Sequence, residues 1–180
     1  IITILELPTA IISAGGDSIC EGESVPIAFT LQNGLSPYNV NYTINGVITT
    51  TSFNISGVNT LILSPSTTTV YSLLDITDAN NCFNTANDSA TIDVYEKVDV
   101  IINGGGDICN DGSQATIYIT TSDSTFVNIT YTDGFLPIIL SGNGPFEIIT
   151  YHEVFYMITD VVDIHGCEGS YSGIAIITVN

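Results

Sequence analysis

An internal repeat is the feature that most constrains this chain. The frame Tyr-x-x-x-Asp-x-x-Asp-x-x-x-Cys occurs at residues 71–82 and again at 156–167. Upstream of each copy, a Gly-Gly-Asp segment followed by a cysteine occurs at residues 15–20 and 105–109. Two shorter blocks also match in the same order, giving a period of about 88 residues, which indicates two copies of one structural unit.

The repeat sets the expected domain boundaries. We expect the first repeat to span residues 8–95 and the second to span 96–180. Residues 1–7 resemble 90–96, the end of the first repeat, so they are expected to be the last strand of a preceding repeat in a longer array. An added edge strand of the first repeat is the alternative interpretation. The junction at 95–98 contains no Gly or Ser, so we expect a semi-rigid rod rather than a flexible tether.

Each repeat has the alternating pattern of half-buried strands. Val25, Ile27, Phe29 and Leu31 are separated by polar or small residues, and similar alternation occurs around Tyr42. Turn signals such as Asn-Gly punctuate these runs. About seven short strands per repeat predict an all-β chain of two tandem immunoglobulin-like β-sandwich domains, each with one disulfide.

Charge excludes several functions. The chain has 19 acidic residues and one basic residue, Lys97, for a net charge of −18. Such a chain cannot neutralise phosphates, so nucleic acid is excluded as a partner and anionic membrane surfaces are disfavoured. The sequence has no apolar run long enough for membrane insertion. A single lysine also leaves trypsin-like proteases one cleavage site, as suits an extracellular surface.

Four cysteines occupy matching places in the repeats. We predict intradomain disulfides that join Cys20 to Cys82 and Cys109 to Cys167, which implies an oxidising compartment. Each bond would close a loop of about 60 residues, for a stabilisation of about 4 kcal/mol. Because one cysteine precedes an early strand and the other follows a late one, both are expected at one pole of the sandwich. A metal site is the weaker alternative, since no Cys-x-x-Cys occurs.

Carboxylates cluster near the cysteines in sequence. If each disulfide joins its two loops, acidic residues from both should gather at that pole, where oxygen ligands suit Ca²⁺ and would stiffen a rod. A solvated acidic loop is the alternative, and no other cofactor is expected. The candidate calcium ligands are Asp75, Asp78, Asp160 and Asp163, with Asp17, Glu21, Asp107 and Asp111 near the other cysteine.

No catalytic arrangement is evident, so the chain is predicted not to be an enzyme. His152 and His165 are the only histidines, and the second corresponds to an Asn in the first repeat, which favours a structural role.

Three Asp-Ser triplets resemble the O-glycosylation motif of Bacteroidetes. They make Ser18, Ser89 and Ser124 candidate modification sites.

The first repeat resembles the repeats of SprB-type gliding-motility adhesins and related large surface proteins of Bacteroidetes. The matching segments are 15–24, 36–43, 64–73 and 78–82, whereas the second repeat keeps mainly its two cysteine-containing ends. The resemblance implies a large repetitive protein that is exported by the type IX system and displayed as a filament on the cell surface. The partners it implies are neighbouring repeats of the same chain and surface polysaccharide.

Two other functions remain open on the sequence alone. A carbohydrate-binding accessory module of a secreted enzyme would need an exposed aromatic platform, and the chain has nine Tyr, seven Phe and no Trp. A filament subunit that donates a strand to its neighbour would use residues 1–7 as the donor.

Overall fold

A computed structural model of the chain describes residues 4–180. It divides into two compact units, Ile1–Glu96 and Lys97–Asn180. The described residues form 17 strands and no helix, which confirms the all-β prediction. None of them therefore forms a helix that could cross a membrane. Residues 4–7 form no strand, and residues 1–3 lie outside the described residues, so the assignment of 1–7 to a preceding repeat stays a prediction.

Residues 4–96, the described part of the first unit, form nine strands. They are β1 (Thr9–Ala14), β2 (Ser18–Cys20), β3 (Val25–Gln32), β4 (Tyr38–Ile44), β5 (Val47–Phe53), β6 (Gly57–Leu63), β7 (Thr69–Thr77), β8 (Phe83–Thr85) and β9 (Ser89–Tyr95). One sheet has the order β1-β3-β6, and the other has the order β2-β9-β7-β4-β5 with β8 beside β7. All pairs are antiparallel except β2 with β9.

The core of the first unit lies where the alternating pattern predicts it. In β3, Ile27, Phe29 and Leu31 are fully buried, whereas Ala28 and Thr30 between them are partly exposed. Phe29 packs against two further rings, with centroid distances of 5.2 Å to Tyr42 and 5.1 Å to Phe53. Aromatic side chains of this size bury the most apolar surface per residue, so this cluster is the centre of the first core.

Eight strands form the second unit. They are β10 (Asp99–Ile108), β11 (Ala115–Thr121), β12 (Phe126–Thr132), β13 (Pro137–Asn143), β14 (Phe146–Thr150), β15 (Val154–Asp163), β16 (Ser170–Ser172) and β17 (Ala175–Val179). Their order is β13-β12-β15-β17-β10-β11-β14, with β16 beside β10. The core is mainly aliphatic, with Ile117, Ile119 and Ile129 fully buried and one ring pair, Tyr131 with Tyr156, at 6.1 Å.

The first segment of each unit pairs antiparallel with one strand and then parallel with another, as one strand (β10) in the second unit and as two (β1 and β2) in the first. In the second unit, residues 100–104 of β10 pair antiparallel with β11, and residues 105–108 pair parallel with β17. In the first unit, β1 and β2 make the equivalent two pairings, and the Gly-Gly-Asp segment at 15–17 lies between them. The Gly-Gly-Asp motif therefore marks the point at which the chain changes sheet.

Glycine is required at this change of sheet in the second unit. Gly105 has a φ of +88°, and a Cβ there would lie 2.3 Å from the carbonyl oxygen of Ile176. Both the left-handed backbone and the close approach of β17 exclude a larger side chain.

Candidate functional site

The Asp-x-x-x-Cys motif of the first repeat forms a closed loop after β7. The Asp78 side chain is buried, and its Oδ1 accepts hydrogen bonds from the backbone N–H groups of Asn80 (2.9 Å) and Cys82 (2.8 Å). Its Oδ2 accepts a third from Leu35 N–H at 2.9 Å. Asp78 N–H in turn donates to the Cys82 carbonyl at 3.1 Å. One carboxylate thus organises the loop that positions the Cys82 thiol.

The second repeat builds the same loop after β15. Asp163 is buried, and its Oδ1 accepts from the N–H groups of His165 and Cys167, each at 2.8 Å. Asp163 N–H donates to the Cys167 carbonyl at 3.0 Å. A left-handed residue occupies the fourth position of both loops, Asn81 (φ 61°) in the first and Gly166 (φ 84°) in the second. Asn and Gly are the residues that adopt this conformation most readily.

In the first loop, the charge of the Asp78 carboxylate affects the pKa of the Cys82 thiol. Burial raises the pKa of Asp78, but the hydrogen bonds from the N–H groups of Leu35, Cys82 and Asn80 lower it by more, so the net pKa lies below its usual value. For Cys82, burial, the negative charge of Asp78 and a hydrogen bond to that carboxylate all raise the pKa of the thiol. The Cys82 side chain is therefore held protonated at neutral pH.

The other cysteine of each repeat lies in a turn next to the last residues of its unit. Glu21 N–H donates to the Tyr95 carbonyl at 2.9 Å, and the Cys20 N–H is capped by the Glu23 carboxylate at 2.9 Å. In the second unit, Asn110 N–H donates to the Asn180 carbonyl at 3.1 Å.

The Cys109 turn carries its own polar cap. The Ser113 hydroxyl accepts from Cys109 N–H at 3.0 Å and donates to Asp111 Oδ1 at 2.6 Å. Hydrogen bonds from the Ser113 hydroxyl and N–H lower the pKa of Asp111. We call the ends of the units that carry Cys20 and Cys109 the exit poles, because the last strand of each unit ends there.

The Asp-x-x-x-Cys loops lie at the opposite ends, where the chain enters. The Asn84 side chain donates to the Pro8 carbonyl at 2.9 Å, and Ser170 N–H donates to the Val98 carbonyl at 3.0 Å. We call these ends the entry poles, and they carry Cys82 in the first unit and Cys167 in the second. Each repeat therefore has one cysteine at each pole.

The predicted intradomain disulfides are wrong. Cys20 and Cys167 are disulfide-bonded, whereas Cys82 and Cys109 carry free thiols. Strand β7 runs the length of the first unit between the two cysteines, because Cys20 lies beside Tyr95 beyond one end of it and Cys82 follows the other end. Its nine residues span roughly 26 Å, at about 3.3 Å per residue. A disulfide needs Cα atoms within about 7 Å.

The same geometry separates Cys109 from Cys167 in the second unit, along the ten residues of β15.

The disulfide prediction was wrong because it did not take the direction of the strands into account. From β3 to β7 the chain reverses four times, because β4, β5, β6 and β7 each run opposite to the strand before them. The start of β3 and the end of β7 therefore lie at opposite poles. Counting these reversals from the turn signals could have revealed this.

The acidic residues consequently do not gather at one pole. Asp78 lies at the entry pole and Asp17 near the exit pole, where its carbonyl accepts from Asp93 N–H at 2.9 Å. Asp75 accepts from the Asn41 side chain at 2.7 Å, and Asp160 is exposed. Within residues 4–180, no three His, Cys, Asp or Glu side chains are grouped to hold a metal ion. Calcium binding by Asp75, Asp78, Asp160 and Asp163 remains untested.

The remaining candidate residues lie on the surface. Ser18, Ser89 and Ser124 are exposed. The aspartate before Ser89 also has a structural role, because Asp88 accepts hydrogen bonds from Ser89 N–H (2.9 Å) and Ile12 N–H (3.0 Å). His152 and His165 are exposed and lie in connecting loops.

An apolar groove of about 380 Å³ lies on the second unit. Phe135 is 85% exposed and Phe155 is 42% exposed, and both line the groove with Asp133, Glu153 and Ile176. The Cα of Gly134 lies against the Phe155 ring, where a Cβ would come within 2.9 Å of it. The sequence did not distinguish these rings from core aromatics, because their exposure depends on which strand face they occupy.

Comparisons with known proteins identify the fold but no family. No family model and no curated protein sequence matches the chain. An I-band fragment of titin is similar over 98% of this chain and 66% of its own length, with 12% identity and a TM-score of 0.57. This likeness shows the immunoglobulin-like fold.

Bacterial adhesins are also among the similar structures. A 1.5-MDa bacterial ice-binding adhesin is similar over 99% of this chain and 66% of the other, with 15% identity and a TM-score of 0.49. A Ca²⁺-stabilized adhesin by which an Antarctic bacterium binds ice is similar over 97% of this chain and 50% of the other, with 14% identity and a TM-score of 0.48. The chain thus spans less than two thirds of each of these structures.

Proposed function

We propose that the chain is a pair of structural repeats from a large adhesive filament on the cell surface, of the gliding-motility adhesin type exported by the type IX system. The observation that carries the proposal is the repetition of one sandwich unit with the same hydrogen-bonded cysteine loop at both entry poles. Such a unit supplies length and stiffness when it is repeated. Its role is mechanical and not enzymatic, and its low lysine content protects it from trypsin-like proteases.

Surface display and adhesion test this proposal. Antibodies raised against the chain should label intact, unpermeabilised cells and reduce their attachment and gliding. Labelling only after permeabilisation would contradict the proposed location. Unchanged attachment with full surface labelling would contradict the adhesive role.

Carbohydrate binding is the second candidate function, and the groove between Phe135 and Phe155 is the observation that favours it. Exposed rings stack on sugar faces, while the neighbouring Asp133 and Glu153 can accept hydrogen bonds from hydroxyl groups. Titration with surface polysaccharide should show binding that Phe135→Ala abolishes. Phe83→Ala is the matched control, because Phe83 is also exposed, at 56%, but lies in the first unit. Equal binding by both variants would exclude the groove.

Calcium and glycosylation extend the leading proposal. Calcium bound by the carboxylates of Asp75, Asp78, Asp160 and Asp163 would screen the charge of −18 and raise the melting temperature. An unchanged melting temperature in chelator would exclude it. Glycans on Ser18, Ser89 or Ser124 would add to the intact mass of the native protein. An unmodified mass would exclude them.

Donor-strand assembly is the remaining alternative. If residues 1–7 complete a neighbouring subunit, deleting them should abolish filament assembly. Normal assembly without them would exclude this mechanism.

A further inference from the structure

The turn beside the apolar groove of the second repeat is longer than its equivalent in the first. Strands β4 and β5 are joined by residues 45–46, whereas the equivalent strands β12 and β13 are joined by residues 133–136. Within the longer turn, Phe135 is 85% exposed and Leu136 is 72% exposed. Because the first repeat folds with the shorter turn, the sandwich does not require these exposed apolar residues.

The strand that follows also differs between the repeats at the groove. Phe155 occupies the position of Val70 in the first unit, because each lies one residue before the tyrosine of the repeated frame. Glu153, two residues earlier, occupies the position of Thr68. All four side chains are exposed. The second repeat thus presents a ring and a carboxylate that the fold does not need, which points to a binding role.

The longer turn is held in shape by its own hydrogen bonds. The Thr132 hydroxyl accepts from Gly134 N–H at 3.0 Å, and Asp133 Oδ1 accepts from Phe135 N–H at 3.1 Å. Gly134 has a φ of +91° and lies against the Phe155 ring, where a Cβ would come within 2.9 Å. The turn that carries Phe135 is therefore ordered before a ligand arrives, which reduces the entropy that binding costs.

The groove has negative but no positive charge. Asp133 and Glu153 line it beside the two rings, and no residue of its lining is basic. A carboxylate accepts several hydrogen bonds, so Asp133 can bind a ligand while it also accepts from Phe135 N–H. The face of an aromatic ring attracts cations as well. Carboxylates and rings together favour a ligand with both apolar surface and positive charge.

The rest of the chain restricts the occupant further. The chain has 19 acidic residues and one basic residue, so a second copy can offer only Lys97, and acidic polysaccharides are repelled. Strands β15 and β17, which line the groove, are interior strands of their sheet. An extended peptide therefore finds no strand edge there with which to pair. A sugar ring needs no such edge, because it stacks on the face of an aromatic ring.

We propose that the groove binds a cationic amino-sugar polymer, a polysaccharide whose sugar residues carry protonated amino groups. Its sugar rings stack on Phe135 and Phe155, and its ammonium groups bind the carboxylates of Asp133 and Glu153. Charge-assisted hydrogen bonds are roughly twice as strong as neutral ones, so the amino groups set the preference among polysaccharides. The proposal rests on the carbohydrate-binding candidate above and names the class of carbohydrate.

Two oligosaccharides that differ only in charge test the proposal. The full-length chain is titrated calorimetrically with a glucosamine hexamer and with an N-acetylglucosamine hexamer, in mildly acidic buffer of low ionic strength. Two exposed ion pairs should make the glucosamine hexamer bind about fivefold more tightly or better, and added salt should reduce this advantage. Equal or tighter binding of the N-acetylated hexamer would overturn the amino-sugar proposal but leave carbohydrate binding standing. No binding of either hexamer would overturn both.

Variants locate the binding in the groove. Phe135→Ala should weaken the binding of both hexamers, because it removes the exposed ring. Glu153→Gln should weaken only the glucosamine hexamer, by about twofold to fivefold. Glu147→Gln is the matched control, because it removes the same charge from an exposed residue of β14 outside the groove. An equal loss with Glu147→Gln would show attraction to the net charge and would overturn the site.

A peptide of similar charge distinguishes an amino sugar from a basic protein partner. Hexalysine offers ammonium groups without a sugar ring, so we expect it to bind more weakly than the glucosamine hexamer. Its binding should also depend less on Phe135. Hexalysine that binds as tightly, with an equal loss in Phe135→Ala, would show that the groove recognises a basic peptide and would overturn the proposal.

Discussion

The two repeats differ in their interiors but share their poles. The first core is centred on Phe29, Tyr42 and Phe53, whereas the second is mostly Ile with one tyrosine pair. The entry-pole loops nevertheless have the same hydrogen bonds. A core needs only the right volume and pattern, but a loop that presents a cysteine needs particular atoms. The similarity of the loops thus follows from their hydrogen bonds and not from the composition of the cores.

Truncating the aromatic cluster of the first repeat should have the largest effect on stability. Phe29→Ala removes a fully buried ring and should reduce the free energy of unfolding of the first repeat by about 3–5 kcal/mol. The matched change Ile119→Ala should destabilise the second repeat by about 2–5 kcal/mol, through a smaller cavity. Native-state hydrogen exchange of the full chain reports the two repeats separately. Loss of protection confined to the other repeat would contradict the separate cores.

Replacing a glycine where the chain changes sheet should reduce the stability of the two repeats by different amounts. Gly105→Ala forces a left-handed backbone, which costs roughly 1–2 kcal/mol, and places a Cβ against the Ile176 carbonyl. Gly15 is the equivalent residue of the first repeat; it has no positive φ, and a Cβ there would come closest to the Pro26 side chain, at 2.4 Å, rather than to a backbone carbonyl, so Gly15→Ala should cost less. Thermal unfolding of both variants checks this. Equal melting temperatures would show that the two repeats change sheet in the same way.

The entry-pole aspartates should differ in the size of their effect. Asp78 accepts three backbone hydrogen bonds with both oxygens, so Asp78→Asn places an NH₂ group where one N–H needs an acceptor. Asp163 uses one oxygen for its two backbone bonds, and Asp163→Asn can keep that acceptor. We expect the larger fall in melting temperature for Asp78→Asn. The reverse order would contradict the assigned hydrogen bonds.

Lowering the pH should remove the stabilisation that the Asp78 carboxylate gives to the folded chain. Its pKa is lowered in the folded state, so its stabilisation is present above the unfolded pKa of about 3.9 and is lost as pH falls through the folded value. Melting temperatures measured from pH 6 down to pH 2 should therefore converge for the unsubstituted chain and Asp78→Asn. A gap that widens toward low pH would contradict this account.

The sequence was sufficient to predict what depends on local pattern. Alternation around Ile27 and Phe29 predicted the buried face of β3, and the internal repeat predicted two equivalent Asp-x-x-x-Cys segments. The sequence-based prediction failed where the answer depends on the direction in which the intervening strands run. Pairing Cys20 with Cys82 assumed that neighbours in the repeat pattern are neighbours in space, but the intervening strands place them at opposite poles. The predicted gathering of carboxylates failed for the same reason.

The central claim is that each repeat holds its two cysteines at opposite poles, and a distance measurement tests it most directly. In a chain carrying Cys109→Ser and Cys167→Ser, spin labels on Cys20 and Cys82 report the length of the first unit by dipolar electron paramagnetic resonance. The account predicts a separation of roughly 26 Å or more, set by the length of β7. A separation under about 10 Å, as close as an intradomain disulfide requires once the labels are allowed for, would contradict it.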